Sequence, residues 1–194
     1  MEKTLILIKP DAVERSLIGT VLQRLERVGI KVVALKMVQA NADLADRHYA
    51  LTEDWMKGVY DKAKAKQEAI GVAFPYPDYK SYGKMIKDGL VEFLQAGPIV
   101  AAVLEGEQAV AQTRKVVGAT EPASSAPGTI RGDFSSDTYS LSNAQNRPIR
   151  NLIHASGSVE EANNEIGIWF TSQEIHQVNA AADSVLYSAD RFRK

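Results

Sequence analysis

Over the first 38 residues the apolar side chains change period twice, and that switch limits the fold more than any other feature of the chain. Thr4 to Ile8 is a short, partly β-branched apolar run that stops at Lys9-Pro10-Asp11, a turn signal. It reads as a buried strand. Leu17, Ile18, Val21, Leu22, Leu25 and Val28 then recur at helical spacing, and Gly29 closes the pattern as a C-terminal cap. Lys31 to Val38, built on Val33 and Leu35, reads as a second strand. A strand, a helix and a strand in so short a stretch indicate an α/β or α+β domain.

The rest of the chain supplies the remaining elements. Asp43 to about Asp54, with His48, Tyr49 and Leu51, is helical in pattern. Met56, Val59, Tyr60, Ala63 and Ile70 fit an amphipathic helix over about 56–70, with Lys57, Asp61 and Lys64 on its other face. Phe74 to Tyr79 holds two prolines and reads as a loop. Leu90, Phe93 and Leu94 suggest another helix, ended by Gly97-Pro98; Ile99 to Leu104 is a strong strand, and a helix follows around Ala109–Val117. Gly118 to Phe134 contains three glycines and two prolines without periodicity, and so long an irregular segment in a compact domain points to binding. Ile149 to Ala155 reads as the last strand. Ser158 with Glu161 forms a capping box for a helix bearing Ala162, Ile166, Trp169 and Phe170, and Thr171 with Glu174 opens a final amphipathic helix on Ile175, Val178, Ala182, Val185 and Leu186.

Composition removes several function classes. The 194 residues suit one domain with elaborations. Lys and Arg number 23 against 24 Asp and Glu, so the broad basic surface of a general nucleic-acid binder is missing. Absence of cysteine excludes disulfides, Cys-ligated zinc, iron–sulfur clusters and thiol catalysis. The longest strictly apolar run, Ile99–Leu104, is too short to cross a bilayer, and Lys9 ends the N-terminal apolar stretch too early for a readable signal peptide. The expectation is a cytoplasmic protein with no membrane partner.

Neither the Walker A pattern nor G-x-G-x-x-G occurs, so any phosphate handling falls to side chains. The three histidines, His48, His154 and His176, lack metal-ligand spacing, and no protein-built metal site is expected. His154 ends a strand beside Ser156, after Arg150 and Asn151. Glu165 falls at the edge of the apolar face of the following helix, where a carboxylate could orient an imidazole nucleophile. Arg131 within the irregular segment, Arg114 before it and Thr120 at its opening could converge on a polyphosphate, because guanidinium makes bidentate bonds to phosphate oxygens.

Taken together, TLILIKPDAV (4–13), LIG (17–19), ALKMV (34–38), HYA (48–50), LVEFLQAGPIVAAVLEG (90–106), Arg114 with VVGATEPASSAPGTIRGDF (116–134), RNLIHASGS (150–158) and EIGIWF (165–170) resemble the nucleoside diphosphate kinase family. The resemblance implies an α+β fold, a ferredoxin-like βαββαβ sandwich, with an inserted helical segment at about 55–89 and a C-terminal helical extension at 171–194 after a kinase domain at 1–170. It implies ping-pong transfer of a γ-phosphoryl from a nucleoside triphosphate to a diphosphate through a phosphohistidine, with Mg²⁺ carried on the nucleotide phosphates. Matched by position, His154 is the nucleophile, with Glu165, Ser156 and Lys9 as its catalytic neighbours. Lys9, Tyr49, Leu90, Arg114, Thr120, Arg131 and Asn151 hold the nucleotide, Lys9 and Asn151 at the ribose 3′-hydroxyl. A hexamer or tetramer is implied, and a nucleotide-binding regulatory paralogue of the same fold is the alternative. Gly157 departs from the family, which usually has an acid there. Asn151 and His154, three residues apart, would face opposite ways on a flat strand, so the backbone between them must bend to serve one site. Trp55, Tyr60 and Phe74 are candidates to stack on the base; the alternative is that the helix near 56–70 packs against its own domain or a neighbouring subunit.

Overall fold

In the computed structural model, which describes residues 1–69 and 71–190, the chain separates into two compact units. The first comprises Met1–Gln39 and the chain from Gly97 onward; the second is Ala40–Ala96.

The first unit is built on a four-stranded antiparallel sheet of β1 (Glu2–Ile8), β2 (Lys31–Val38), β3 (Ile99–Gly106) and β4 (Ile153–Ala155), in the order β2-β3-β1-β4. With α2 (Ile18–Glu26) between β1 and β2, and α6 (Ala109–Val117) between β3 and β4, this is the expected ferredoxin-like βαββαβ arrangement. Ile6 and Ile8 of β1 and Val100, Ala102 and Leu104 of β3 pack with Val21 and Leu25 of α2 and Val117 of α6 into one core. At ~1.5–3 kcal/mol for each large side chain removed from water, that cluster is the main source of stability. Pro10 opens the one-turn helix α1 (Pro10–Glu14), where its missing N–H costs nothing. Gly29 takes φ +86° after α2, as a C-terminal cap requires.

Several boundaries differ from the sequence reading. The irregular segment contains a 3₁₀ turn (Pro122–Ser124) and ends in a short helix, α7 (Ile130–Phe134), capped by the Thr129 hydroxyl on the Gly132 N–H. Another short helix, α8 (Tyr139–Ala144), precedes the last strand. β4 is three residues long rather than seven, because the backbone turns sharply at Leu152. Ser158 caps α9 (Val159–Trp169) as expected. The continuous helix expected from Thr171 does not form. Thr171 and Glu174 do close a reciprocal cap, but on a 3₁₀ turn (Ser172–Glu174); no helix follows until α10 (Ala181–Leu186). A β-bulge between Val32 and Ala34 explains this. The bulge draws Val33 out of the β2–β3 ladder, and the His176 N–H donates to the Val33 carbonyl at 2.8 Å.

The second unit is helical: α3 (Ala42–His48), α4 (Glu53–Glu68) and α5 (Tyr79–Gln95). The helix expected to run to about Asp54 stops at His48, and Thr52 caps a new one. Ile70, expected on the amphipathic face, lies outside the described residues. Asp78 caps α5 with bonds from the Lys80 and Ser81 N–H groups, so that helix starts well before Leu90. Tyr60, Phe74, Tyr76 and Tyr82 form a ring cluster with centroid separations of 4.8 to 6.1 Å, and the Tyr60 hydroxyl donates to the Tyr76 carbonyl. Two of the three aromatics considered as base stackers therefore spend their faces on each other and on the loop at 74–78.

Candidate active site

The first unit brings its sequence-selected residues to the end of β1 and the start of β4. The bend needed between Asn151 and His154 is present: Leu152 has φ +69°, and the Ile153 N–H donates across it to the Asn151 carbonyl at 2.8 Å. A γ-turn of this hand is rare and strained for a residue with a side chain. The surroundings hold it on every side. The Lys9 N–H donates to the Leu152 carbonyl at 2.8 Å, and Asp11 Oδ2 accepts the Leu152 N–H at 3.0 Å. Arg131 Nε donates to the Asn151 carbonyl at 3.1 Å and Arg131 Nη2 to the Ile153 carbonyl at 2.7 Å.

Around this turn the side chains meet. Lys9 Nζ donates to Asn151 Oδ1 at 2.9 Å, and Asn151 Nδ2 to the Thr120 carbonyl at 2.9 Å. His154 Nε2 lies 2.8 Å from Glu165 Oε1, while the Ser156 hydroxyl donates to Glu165 Oε2 at 2.6 Å. Ser156 Oγ also accepts the Leu5 N–H, which ties this group to β1. Glu165 reaches His154 because α9 projects it inward with Ala162, Ile166 and Trp169, all buried. Arg131 Nη1 donates to the carbonyls of Gly118 and Ala119, and Gly118, at φ +92°, is a turn open to glycine.

The electrostatics follow from burial. Lys9 is only 5 % exposed, and burial with the Arg131 charge lowers its pKa to about 8, against the opposing pull of Asp11. Burial and the Arg114 charge bring Arg131 down to about 10. Burial also holds His154 well below the ordinary histidine range; Lys9, Arg131 and Arg114 push the same way, and Glu161 opposes them. The imidazole is therefore neutral and nucleophilic at physiological pH.

Gly157 matters for a reason the sequence concealed. Its N–H donates to Glu161 Oε2 at 2.6 Å, so the carboxylate read as half of a capping box reaches past Ser158 to the residue before it. A Cβ at position 157 would stand 2.4 Å from that oxygen and 3.9 Å from Arg114 Nη1. A side chain at this position would displace the Glu161 carboxylate, the mobile end of an exposed side chain, from the Gly157 N–H. Thr120 and Arg114 are exposed at the rim. Tyr49 and Leu90 belong to the second unit: Tyr49 ends α3 with its ring edge-on to His48 at 4.7 Å, and Leu90 is half-buried on α5. Sequence reasoning missed Asp11 as a site residue, having used it only as a turn signal.

A neutral histidine backed by a buried carboxylate and ringed by cations, on a ferredoxin-like sheet, is the equipment of covalent phosphoryl transfer. Comparison with known proteins narrows the class. A sequence model described as nucleoside diphosphate kinase matches residues 2–71 and 76–175. The nucleoside diphosphate kinase of Pyrobaculum aerophilum is 42% identical over 179 residues, which is 90% of this chain and 98% of that one. That of Staphylococcus epidermidis is 38% identical over 187 residues, 96% of this chain and 99% of the relative. Among solved structures, an NDP kinase from Pyrobaculum aerophilum superposes with a TM-score of 0.87 at 40% identity, covering 91% of this chain and 99% of its own. A transition-state mimic of the Borrelia burgdorferi nucleoside-diphosphate kinase, with bound vanadate and ADP, gives 0.77 at 36% identity and 95% coverage of both chains. The chain belongs to the nucleoside diphosphate kinase family, and its activity is that of a phosphotransferase acting on nucleotides.

Proposed function

We propose that this kinase works by a two-step exchange through a phosphohistidine on His154. The observation that carries the reading is the 2.8 Å approach of Glu165 to His154 Nε2. A carboxylate there favours the tautomer with the proton on Nε2, which puts the in-plane lone pair on Nδ1. Nδ1 attacks the γ-phosphorus, the bond to the β-phosphate oxygen breaks, and the diphosphate leaves. A β-phosphate oxygen of a second diphosphate then attacks the phosphohistidine, the N–P bond breaks, and a new triphosphate departs. Glu165, steadied by Ser156, supports the positive charge that the ring acquires in between.

Lys9, Arg114 and Arg131 supply positive charge toward the transferred group, with Thr120 at the same rim. Lys9 and Asn151, bonded to each other, offer a donor and an acceptor suited to a ribose 3′-hydroxyl. Tyr49 and Leu90 serve the nucleoside. The nearby carboxylates of Asp11, Glu161 and Glu165 already accept hydrogen bonds or face a ring nitrogen, so Mg²⁺ would be held by the nucleotide's own phosphates and would neutralise part of their charge. A cytoplasmic homo-oligomer, hexamer or tetramer, is our reading of the assembly. β2 leaves Leu35 and Met37 more than half exposed, an apolar patch that a second subunit would cover. We read 1–170 as the kinase domain, with its elaboration at about 55–89, and 171–194 as an extension.

The test is to incubate the protein with γ-labelled ATP, remove nucleotide, and look for acid-labile, base-stable label that a diphosphate discharges. His154→Ala should carry none while keeping its fold. Label at the wild-type rate in that variant would remove His154 as nucleophile and with it this mechanism.

A further inference from the structure

The turn at Leu152 places the two residues on which the mechanism depends, and it is intrinsically unfavourable. A residue with a side chain at φ +69° costs on the order of 1–3 kcal/mol and persists only when its neighbours over-determine it. Four groups do so, and three of them (the Lys9 N–H and two nitrogens of Arg131) act on carbonyl oxygens. The Leu152 N–H is satisfied by Asp11 Oδ2 alone among the described residues, across 141 positions of sequence. In a regular strand that N–H would join a ladder; here β4 begins only at Ile153. Without Asp11 a buried N–H would lose its acceptor, and the simplest way to regain one would be to flatten the turn.

Flattening is what the site cannot tolerate, because a flat backbone turns Asn151 and His154 to opposite faces. Leu152 itself is fully buried, so its side chain is anchored in the core while the backbone pivots about it. We propose that Asp11 is a positioning residue for phosphoryl transfer: its carboxylate locks the γ-turn that sets Asn151 and His154 on one face. It touches no reacting atom in this role. Its charge also opposes the mutual repulsion of Lys9 and Arg131, and for that reason the two roles must be separated experimentally.

Asp11→Asn keeps an acceptor oxygen in place and removes the charge; Asp11→Ala removes both. The readouts are the rate of His154 phosphorylation at saturating ATP and the binary dissociation constant for a diphosphate, taken at a temperature where circular dichroism shows each variant folded. The alanine variant should phosphorylate roughly 10- to 100-fold more slowly. The asparagine variant should lose clearly less, roughly 3- to 10-fold, since a neutral acceptor retains about half of such a bond. Diphosphate affinity should change less than the rate in both. If the alanine variant does not fold, Asp11→Ser, whose hydroxyl falls short of Leu152, should show the same deficit. Wild-type rates in the alanine or serine variant would overturn the proposal. So would equal losses in the asparagine and alanine variants, which would assign the effect to charge alone. The proposal rests on His154 as nucleophile, and the His154→Ala control separates the two: label in that variant sinks the mechanism, whereas normal rates without Asp11 sink only the positioning role.

Discussion

At the scale of single residues, Arg131 shows that a side chain chosen for phosphate can be at least as important to the protein around it. Its guanidinium has five N–H groups, and among the described residues four of them go to the carbonyls of Gly118, Ala119, Asn151 and Ile153. By that count one Nη2 hydrogen is left for a phosphate oxygen. Arg131→Ala should therefore fail twice. Loss of a charged hydrogen bond, ~1.5–3 kcal/mol, slows transfer by roughly one to two orders of magnitude. The stranded carbonyls should lower the melting temperature by about 5–10 °C as well. Arg131→Lys keeps the charge but cannot hold four carbonyls, so it should recover part of the rate and little of the melting temperature. Unchanged melting in the lysine variant, followed by calorimetry, would mean that these carbonyl bonds contribute nothing. The residue types at the site were legible in the sequence: a histidine at a strand end, a carboxylate at a helix-face edge, and arginines in and just before an aperiodic loop. Asp11 was not, because Pro-Asp after a strand is what a turn needs whether or not the aspartate later meets a backbone 141 residues away. Nor does any letter announce φ +69° at a leucine.

Among the elements, the C-terminal segment is where periodicity misled. Ile175, Val178, Ala182, Val185 and Leu186 are spaced as on a helix, yet residues 175–180 form none. The deciding interactions lie outside the segment. The bulged Val33 carbonyl takes the His176 N–H, Lys31 donates to the Val178 carbonyl and to Asp183, and Lys36 pairs with Glu174 at 2.6 Å. Propensity loses to tertiary partners of this kind routinely. The same pairing makes the segment sensitive to acid. The hydrogen bond from Lys36, with those from Thr171, brings the Glu174 pKa down to about 2 from an ordinary 4.5. A depressed carboxylate stabilises the fold above its unfolded pKa, and the contribution fades as pH falls from about 4.5 toward 2. Amide exchange at His176 should therefore accelerate over that window, once corrected for intrinsic rates, before the sheet opens. Glu174→Gln should show faster exchange already at neutral pH. Equal protection of His176 in wild type and variant would detach the ion pair from the docking of the segment.

For the molecule as a whole, the two units carry one tryptophan each, Trp55 in the second and Trp169 in the first, and the chain has no other. Each can report on its own unit once the other is replaced by phenylalanine. The second unit depends on the ring cluster of Tyr60, Phe74, Tyr76 and Tyr82, of which Tyr82 is buried. Tyr82→Ala should weaken the Trp55-detected unfolding transition in urea by roughly 3–5 kcal/mol, as other large aromatic truncations do. The Trp169-detected transition should move less. Equal shifts in both would show the units to unfold as one. Periodicity in the first unit indicated an α/β or α+β domain, because β1, α2, β2 and β3 each have a clear period; the ferredoxin-like order came from the resemblance to the family. Sequence reading did not recognise the ring cluster, because aromatics separated by loops and prolines share no period. The turn at Leu152 has a further consequence for how the enzyme comes into being. Its fastenings join residues 9 and 11, 118–120, 131 and 151–153, with bonds spanning 142 and 141 positions. Contacts so distant along the chain form late, after the entropy of closing the intervening loops has been met. The bonds of Arg131 span only 12 to 22 positions and can form within a fragment, whereas the fastenings from Lys9 and Asp11 close only when β1 meets β4, so the first turnover should not precede that pairing.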